Sequence, residues 1–337
     1  MIMVAKNIFS RLFDQESAKV EKQLQQKLII TMVGDVNAGK SSTINRILNR
    51  EVAEVGASPG KTTSISEYDY GDGVVLADTP GLNDIVTSNS AVTQAFYQSS
   101  DMILFFLNAA GTVFSEVEDK ALKIVAAENP NIIIVLNKID ASDDVPTQIA
   151  FIKEKTNNSY PVIPVSSRTG ENIDQLETEM LNLATENKKD LVLAKKFKSR
   201  SSVANKWIVA ASASAGGVGV TPIPFADSLA LSALQISLVL KLANLYEYSI
   251  TKKNLQEMML PLITTTVGRT LAGSIAKIVP GVGTLVGGAI NGGVAASITA
   301  AIGYSFKTIF EKEWKLDAST IQSVFYDFLK KEKKIKK

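Results

Sequence analysis

The chain has 337 residues, 45% of them hydrophobic and 21% charged, so it is long enough to form two domains with buried cores. Its 36 basic and 34 acidic residues leave a net charge of +2, which excludes a strong overall attraction to nucleic acid. Cysteine and histidine are both absent, which excludes disulfides, thiol chemistry and the commonest general base. Any catalysis must therefore use carboxylates, Lys or Arg side chains, backbone amides and a bound metal ion.

Residues 1–26 predict a single amphipathic helix, because their apolar side chains fall largely on one stripe with Lys, Gln and Glu elsewhere. Two interpretations are open: the helix packs on the chain's own second domain, or it lies on a membrane surface. Charged residues interrupt the first apolar residues, so no secretory signal is predicted. We expect a cytoplasmic protein, associated with the cytosolic face of a membrane.

A glycine-rich segment follows the first predicted strand. Residues 34–41 read G-x-x-x-x-G-K-S, a phosphate-binding loop, with an apolar run at 28–33 before it and helical spacing at 42–49 after it. This context disfavours a chance glycine-rich turn. Lys40 is expected to contact the β and γ phosphates, and Ser41 to bind Mg²⁺. The residues predicted to contact the nucleotide here are Gly34, Asp35, Asn37, Ala38, Gly39, Lys40, Ser41 and Ser42.

Residues 27–190 alternate apolar strands with helical segments, which predicts a mostly parallel sheet with helices on both faces. Polar clusters follow three of the later strands, and the carboxyl edge of such a sheet is where ligands bind. These clusters are Asp78–Gly81, Asn137–Asp140 and Ser166–Ser167.

Each cluster suggests a role in binding a nucleotide. Asp78 is placed to hold Mg²⁺, and the Gly81 N–H can approach a γ-phosphate. Asn137 and Asp140 could together read a base edge, with Lys138 between them. A carboxylate accepts from the adjacent ring N–H and amine of guanine, which adenine lacks, so Asp140 predicts selection of GTP over ATP.

With Thr62, these motifs stand in the linear order of the five motifs of translation-factor-class GTPases, which the chain resembles over about half its length. Asn37 and the segment 58–63 look most like the Era/TrmE-like branch. The resemblance implies a Mg²⁺-dependent domain that binds GTP and hydrolyses it to GDP and phosphate. It places switch I at Thr62 or Thr63, with Thr62 preferred as the Mg²⁺ ligand, and starts switch II at Asp78.

The resemblance also assigns roles to further residues. Lys40, Thr62, Gly81 and Asn37 would take part in hydrolysis. At the fifth motif the chain has Ser166-Ser167-Arg168 where the family has Ser-Ala-Lys. The change is mild, because a backbone N–H makes the main contact with guanine there.

Leu82 stands where Ras-like GTPases have a water-positioning glutamine, and leucine cannot orient a water. In the Era/TrmE-like branch, an asparagine matching Asn37 can help to hold K⁺ beside the phosphates. A simple loop hydrogen bond is the other interpretation of Asn37. Slow basal turnover is expected either way, and a homo-oligomer or dimer through the GTPase domain is a further expectation.

The composition becomes basic at residues 188–202, so we place a domain boundary at 190 and an all-α helical-hairpin domain at 191–337. The lysines suggest either a solvated helix face or contact with anionic lipid headgroups. Pro224 and Pro280 begin similar segments 56 residues apart, which suggests two helical hairpins. The basic tail at 330–337 is open to the same two interpretations as the lysines.

Residues 278–306 carry no charge, a run longer than the roughly 20 residues that span a bilayer. Paired glycines in the run, at 283/287 and 288/292, would allow close helix packing in lipid. Its Ala, Gly, Ser and Thr content makes insertion only modestly favourable, so a buried hairpin is equally open. The region resembles the YcjF-like helical domain of unknown function.

The sequence therefore predicts a GTP-dependent switch or remodelling protein at the cytosolic face of a membrane, with anionic lipid as its partner. The alternative is a soluble GTP-dependent assembly factor for the ribosome, RNA or a protein complex. No RNA-binding module is visible, so no nucleic-acid partner is expected.

Overall fold

A computed structural model describes residues 2–48, 66–79, 82–87, 91–218, 226–269 and 288–334. The predicted site residues Thr62 and Gly81 lie outside these ranges, as does the alternative Thr63. The chain divides into two compact units: Gln23–Lys198, and Met1–Lys22 together with Ser199–Lys337.

The described elements follow one another in chain order. They are α1 (Ile2–Leu24), β1 (Leu28–Gly34), α2 (Lys40–Ile47), β2 (Ser66–Asp69), β3 (Val74–Asp78), α3 (Leu82–Thr87), α4 (Ala91–Ser99), β4 (Met102–Asn108), α5 (Glu116–Glu128), β5 (Ile132–Asn137), a 3₁₀ turn (Ile139–Ala141), α6 (Val145–Lys155), β6 (Val162–Val165), α7 (Ile173–Glu186), α8 (Asp190–Ala194), α9 (Arg200–Val218), α10 (Ala226–Leu245), α11 (Lys252–Arg269), α12 (Gly288–Glu311) and α13 (Ala318–Lys334).

A six-stranded sheet forms the centre of the unit 23–198, in the order β2-β3-β1-β4-β5-β6. Five strands are parallel and β2 pairs antiparallel with β3 at the edge. The predicted mostly parallel α/β sheet is thus confirmed, and β2 is an added edge strand. The register aligns the strand ends, with Met32 opposite Asp78 and Asn108 opposite Asn137, so the polar clusters meet at one edge.

Helices cover both faces of the sheet. β4 is buried from Met102 to Leu107, as expected for a central parallel strand. On one face Phe105 and Leu107 share a core with α3, α4 and α5. Helices α2 and α7 contact each other and, between them, strands β1, β4, β5 and β6.

The unit extends past the predicted boundary at residue 190. Helix α8 is buried along its whole length, and Phe197 forms an isolated bridge with Leu48. Two lysines of the basic segment are engaged here, because Lys189 pairs with Asp101 at 2.5 Å and Lys196 pairs with Asp72 at 2.8 Å. (These two residues are therefore not simply solvated.)

In the helical unit, α9, α10 and α12 pack together, and α13 packs on α12. Gly303 permits the close approach, since a Cβ there would lie 2.7 Å from Ile208 Cγ1. Helix α1 joins this unit through Asp14, which pairs with Lys252 of α11 at 2.6 Å. No helix among the described residues combines the length and hydropathy needed to cross a bilayer.

Candidate nucleotide-binding site

The phosphate-binding loop connects β1 to α2, and two of its positions require glycine. Gly34 has a φ of 152°, and a Cβ there would lie 2.8 Å from the Cβ and the carbonyl oxygen of Phe106. Gly39 has a φ of 88°, and a Cβ there would lie 2.0 Å from Asn137 Nδ2. The loop therefore packs against β4 and β5 so closely that no side chain fits at either glycine.

Lys40 lies at the start of α2 and turns back on the loop. Its ammonium donates to the carbonyl oxygens of Gly34 at 2.9 Å and Asp35 at 3.2 Å. An ammonium carries three rotatable donors, so the same group can turn to a phosphate oxygen. Ser41 and Ser42 are exposed in the first turn of α2, where the N–H groups of a helix favour an anion.

Asn137 lies at the end of β5 and joins two loops. Its Nδ2 donates to the Ala38 carbonyl oxygen at 2.8 Å, and its Oδ1 accepts from Ser167 N at 3.1 Å and Ser167 Oγ at 3.2 Å. The side chain is fully buried. Both ends of the amide are occupied by protein groups, which leaves Asp140 as the residue of this motif that can meet a base.

Asp140 stands in the 3₁₀ turn after Asn137 with both carboxylate oxygens engaged. Oδ1 accepts from Ser166 Oγ at 2.5 Å, and Oδ2 pairs with the Arg168 guanidinium at 2.6 Å. The hydrogen bond from Ser166, with a smaller contribution from Arg168, lowers the pKa of Asp140 below its ordinary value. The group is therefore an anion at neutral pH and can accept two donors of guanine.

The Mg²⁺ ligands expected from the sequence are described in part. Asp78 ends β3 opposite Met32, while Ser41 is an exposed hydroxyl at the helix start. One hydroxyl and one carboxylate fit Mg²⁺, which usually takes its remaining ligands from phosphate and water. Leu82 is fully buried in the core with α5, so it packs and does not face a reactant. Asn37 is exposed with a φ of 67°.

Sequence reasoning missed a pocket of about 270 Å³ beside the phosphate-binding loop. It is lined by Asp35, Val36, Ala38, Asn108, Gly111, Thr112, Ser115 and Glu118. Glu118 accepts from Ser115 N at 2.6 Å in a capping box, and burial raises the pKa of its carboxyl. The Ser-x-x-Glu spacing was the sequence signal for this cap.

Comparisons with known proteins match two separate stretches of the chain to two families. Residues 29–138 match a family described as 50S ribosome-binding GTPase, and residues 183–334 match a domain of unknown function, DUF697. The predicted GTPase domain fused to a helical domain is thus confirmed. The family match also supports the predicted activity, hydrolysis of GTP.

Individual relatives match the GTPase half. A tRNA modification GTPase MnmE of Paramagnetospirillum magneticum is 30% identical over 165 residues, or 47% of this chain and 35% of that protein. A translation initiation factor IF-2 of Thermotoga sp. is 28% identical over 189 residues, or 53% of this chain and 26% of that protein. A solved structure of a probable GTP-binding protein, engB, is 23% identical with a TM-score of 0.37, over 47% of this chain and 99% of that one. The chain spans about a third of the length of the MnmE relative.

Proposed function

We propose that this chain, whose residues 29–138 match a GTPase family and whose residues 183–334 match DUF697, is a GTP-dependent switch or remodelling protein. We further propose that it acts at the cytosolic face of a membrane. The main observation in support of guanine-nucleotide binding is the pair of hydrogen bonds made by the Asn137 side chain. They connect the phosphate loop to the Ser166–Ser167 loop, beside Asp140. Calorimetric titration tests it: GDP and GTP should bind far more tightly than ATP.

Guanine recognition would use the anionic Asp140. The ring N–H and the amine of guanine would replace the Ser166 and Arg168 donors on its two oxygens. Arg168 is largely exposed and can swing away at little cost. Adenine offers no such donor pair, so ATP would leave the carboxylate unmatched. Equal affinity for ATP would contradict this assignment.

Hydrolysis of GTP would depend on charged and polar groups that are already in position around the phosphates. The N–H groups of the loop and the Lys40 ammonium would stabilise the charge that develops on the phosphates. Ser41, Asp78 and Thr62 would hold Mg²⁺, which supplies charge neutralisation when bound. The Gly81 N–H would contact the γ-phosphate. Leu82 stands at the position of the water-positioning glutamine and is buried in the core, so it would not orient the attacking water.

A K⁺ ion held by Asn37 is proposed to assist this reaction. The side chain is exposed at the loop, on a residue with left-handed backbone geometry. Hydrolysis measured in K⁺ and in Na⁺ at matched ionic strength tests the role. A faster rate in K⁺ that is lost in Asn37→Ala is expected, and equal rates in the two salts would remove the proposal.

The membrane proposal draws on the helical unit. Gln235 Nε2 of α10 donates to Thr299 Oγ1 of α12 at 3.1 Å, and the hydroxyl of Tyr246, the residue after α10, donates to Glu311 of α12 at 2.7 Å. The sequence separation is 64 in the first contact and 65 in the second, so the two helices run parallel in constant register. Residues 64 apart therefore lie at similar heights in the bundle.

Charged residues begin at a similar height in three helices. Lys241 of α10 and Lys307 of α12 lie at heights along the bundle that differ by about half a helical turn. The Lys241 ammonium lies 5.5 Å from the ring centre of Trp207 in α9, which places Trp207 at the same level. On one side of this level all three helices lack charge. The uncharged stretches are residues 208–218 of α9, 228–240 of α10 and 288–306 of α12. Trp and Lys at the border of an uncharged zone are typical of a membrane–water interface.

The positions of the charged residues favour a membrane that touches the side of the helix bundle over one that takes in the end of the bundle. The uncharged part of α9 exposes Val209, a residue that is 61% accessible. Immersion from the end would carry Asp227 and Arg269, at the far ends of α10 and α11, into hydrocarbon at about 2.5–3.5 kcal/mol each. We therefore propose that the unit lies among anionic headgroups, aided by the basic tail 330–337.

Vesicle flotation of the full-length chain tests the membrane proposal. We expect it to float with phosphatidylserine vesicles more than with phosphatidylcholine, and to be released by high salt or carbonate. Val209→Asp should reduce flotation, while Phe151→Asp, an equivalent change at an exposed residue of the GTPase unit, should not. A chain that ignores both vesicles with GDP and with a GTP analogue would overturn the proposal.

That outcome would favour the second candidate, a soluble assembly factor. The family matched by residues 29–138 is described as ribosome-binding, and this is the observation that supports it. Co-sedimentation with large ribosomal subunits in both nucleotide states would then be the decisive measurement.

A further inference from the structure

Arg168 forms an ion pair with Asp140 at the end of the site where the base would bind. A guanidinium nitrogen lies 2.6 Å from Asp140 Oδ2. The Asp140 side chain is sheltered, with 11% of its surface exposed, whereas the Arg168 side chain is 76% exposed. The other carboxylate oxygen accepts from Ser166 Oγ at 2.5 Å. An oxygen that guanine would need is therefore covered by a cation of the chain itself.

The backbone of Arg168 is held in a closed turn after β6. Gly170 N donates to the carbonyl oxygen of Ser166 at 2.8 Å, and Thr169 N donates to Ser166 Oγ at 3.0 Å. The same Ser166 hydroxyl donates to Asp140, so the turn and the carboxylate are tied together. These bonds flank Arg168 and keep its side chain within reach of Asp140.

The guanidinium group offers Asp140 the same kind of donors as guanine does. In guanine, the ring N–H and the amine belong to two nitrogens attached to one carbon, and the guanidinium of Arg168 carries its N–H groups in the same way. Both groups are planar, and each can donate to a carboxylate through two parallel bonds. Arg168 and the edge of the base are therefore alternative partners for one carboxylate.

The exposure of Arg168 sets the strength of this competition. An ion pair whose cation lies mostly in water is only slightly stable, so the pair opens readily and does not block the site. The apparent affinity for a ligand falls by the fraction of the protein that is competent to bind it. For an exposed pair, this fraction corresponds to a loss of about two- to fivefold in affinity.

We propose that Arg168 regulates the affinity of the chain for guanine nucleotides, because its guanidinium competes with the base for Asp140. The competition acts at the base and not at the phosphates, so it weakens GDP and GTP by the same factor. This inference rests on the proposed GTPase function and assigns a role to the position where the fifth motif has arginine in place of the family's lysine.

Arg168→Ala in the full-length chain is the main test, with GDP and a GTP analogue titrated calorimetrically in Mg²⁺. We expect the Kd of both nucleotides to fall about two- to fivefold. General electrostatics predicts the opposite, since the variant loses a positive charge that would attract the phosphates. Lys153→Ala, at an exposed position of α6, is the matched control, because it removes the same charge and should not tighten binding.

A double variant tests whether the effect depends on the Asp140 carboxylate. In the Asp140→Asn background, Arg168→Ala should leave the Kd for GDP unchanged, because a neutral amide forms no ion pair with the guanidinium. Unchanged or weaker GDP binding in Arg168→Ala alone, or an equal gain in both backgrounds, would overturn the inference. Failure of the unaltered chain to bind GDP would instead reject the proposed function.

Discussion

The side-chain amide of Asn137 donates to the carbonyl oxygen of Ala38 at 2.8 Å, across 99 residues of sequence. Its oxygen accepts from Ser167, so one buried side chain fixes the phosphate loop and the last nucleotide motif relative to each other. The geometry of the phosphate loop therefore depends on the end of β5 as well as on its own glycines.

Asn137→Ala should weaken GDP and GTP equally, because the bridge positions the loops and does not touch the γ-phosphate. Removal of the donor leaves the buried Ala38 carbonyl unpaired, at a cost of about 1–3 kcal/mol in the free energy of unfolding. Calorimetry and thermal unfolding measure the two effects. Gln175→Ala, at an exposed position of α7, is the control and should change neither. A selective loss of GTP binding would argue against a positioning role.

Asp140→Asn should change the choice of base. The amide supplies a donor where the carboxylate had an acceptor, which suits the extra carbonyl of xanthine in place of the guanine amine. We expect GTP affinity to fall by at least about tenfold, as for a charge-assisted hydrogen bond, and XTP affinity to rise. Competition of the two nucleotides for the variant decides the outcome, and an unchanged preference for GTP would reject the role of Asp140.

The sequence predicted the sheet and the positions of the motifs, because alternating apolar runs and the phosphate-loop spacing are local signals. It could not predict the Asn137 bridge, whose partners lie far apart along the chain. The sequence indicates that Leu82 cannot orient a water, and the structure adds that its side chain fills the core. Burial of that kind depends on the packing of α3 against α5, which a single sequence does not specify.

Lys40→Ala should abolish measurable hydrolysis. The Lys40 ammonium lies against the phosphate loop and would contact the phosphates, so the variant would lose that positive charge. Leu82→Met should keep hydrolysis within about twofold, because a volume-conserving change preserves the core. Leu82→Ala is a poor test of catalysis, since a buried Leu to Ala change costs about 2–5 kcal/mol in stability. Single-turnover rates compare the variants. A loss in Leu82→Met as large as that in Lys40→Ala would show that Leu82 acts on the reaction.

The basic segment after α7 also contains apolar residues that pack into the core of the GTPase unit. Helix α8 places three fully or almost fully buried residues, Leu191, Val192 and Leu193, in a segment whose lysines suggested a linker. Beyond it, Phe197 is 2% exposed and pairs with Leu48. A fragment that ends at residue 190 would lose all of these contacts.

We therefore expect residues 23–198 to fold alone and bind GDP as tightly as the full-length chain. Residues 23–190 should be several kcal/mol less stable, at about 1.5–3 kcal/mol for each large buried side chain that is removed. Urea unfolding of the two fragments, followed by GDP titration, measures the difference. Phe197→Ala in the longer fragment isolates one contact and should cost about 3–5 kcal/mol. Equal stability of the two fragments would mean that residues 191–198 are a linker after all.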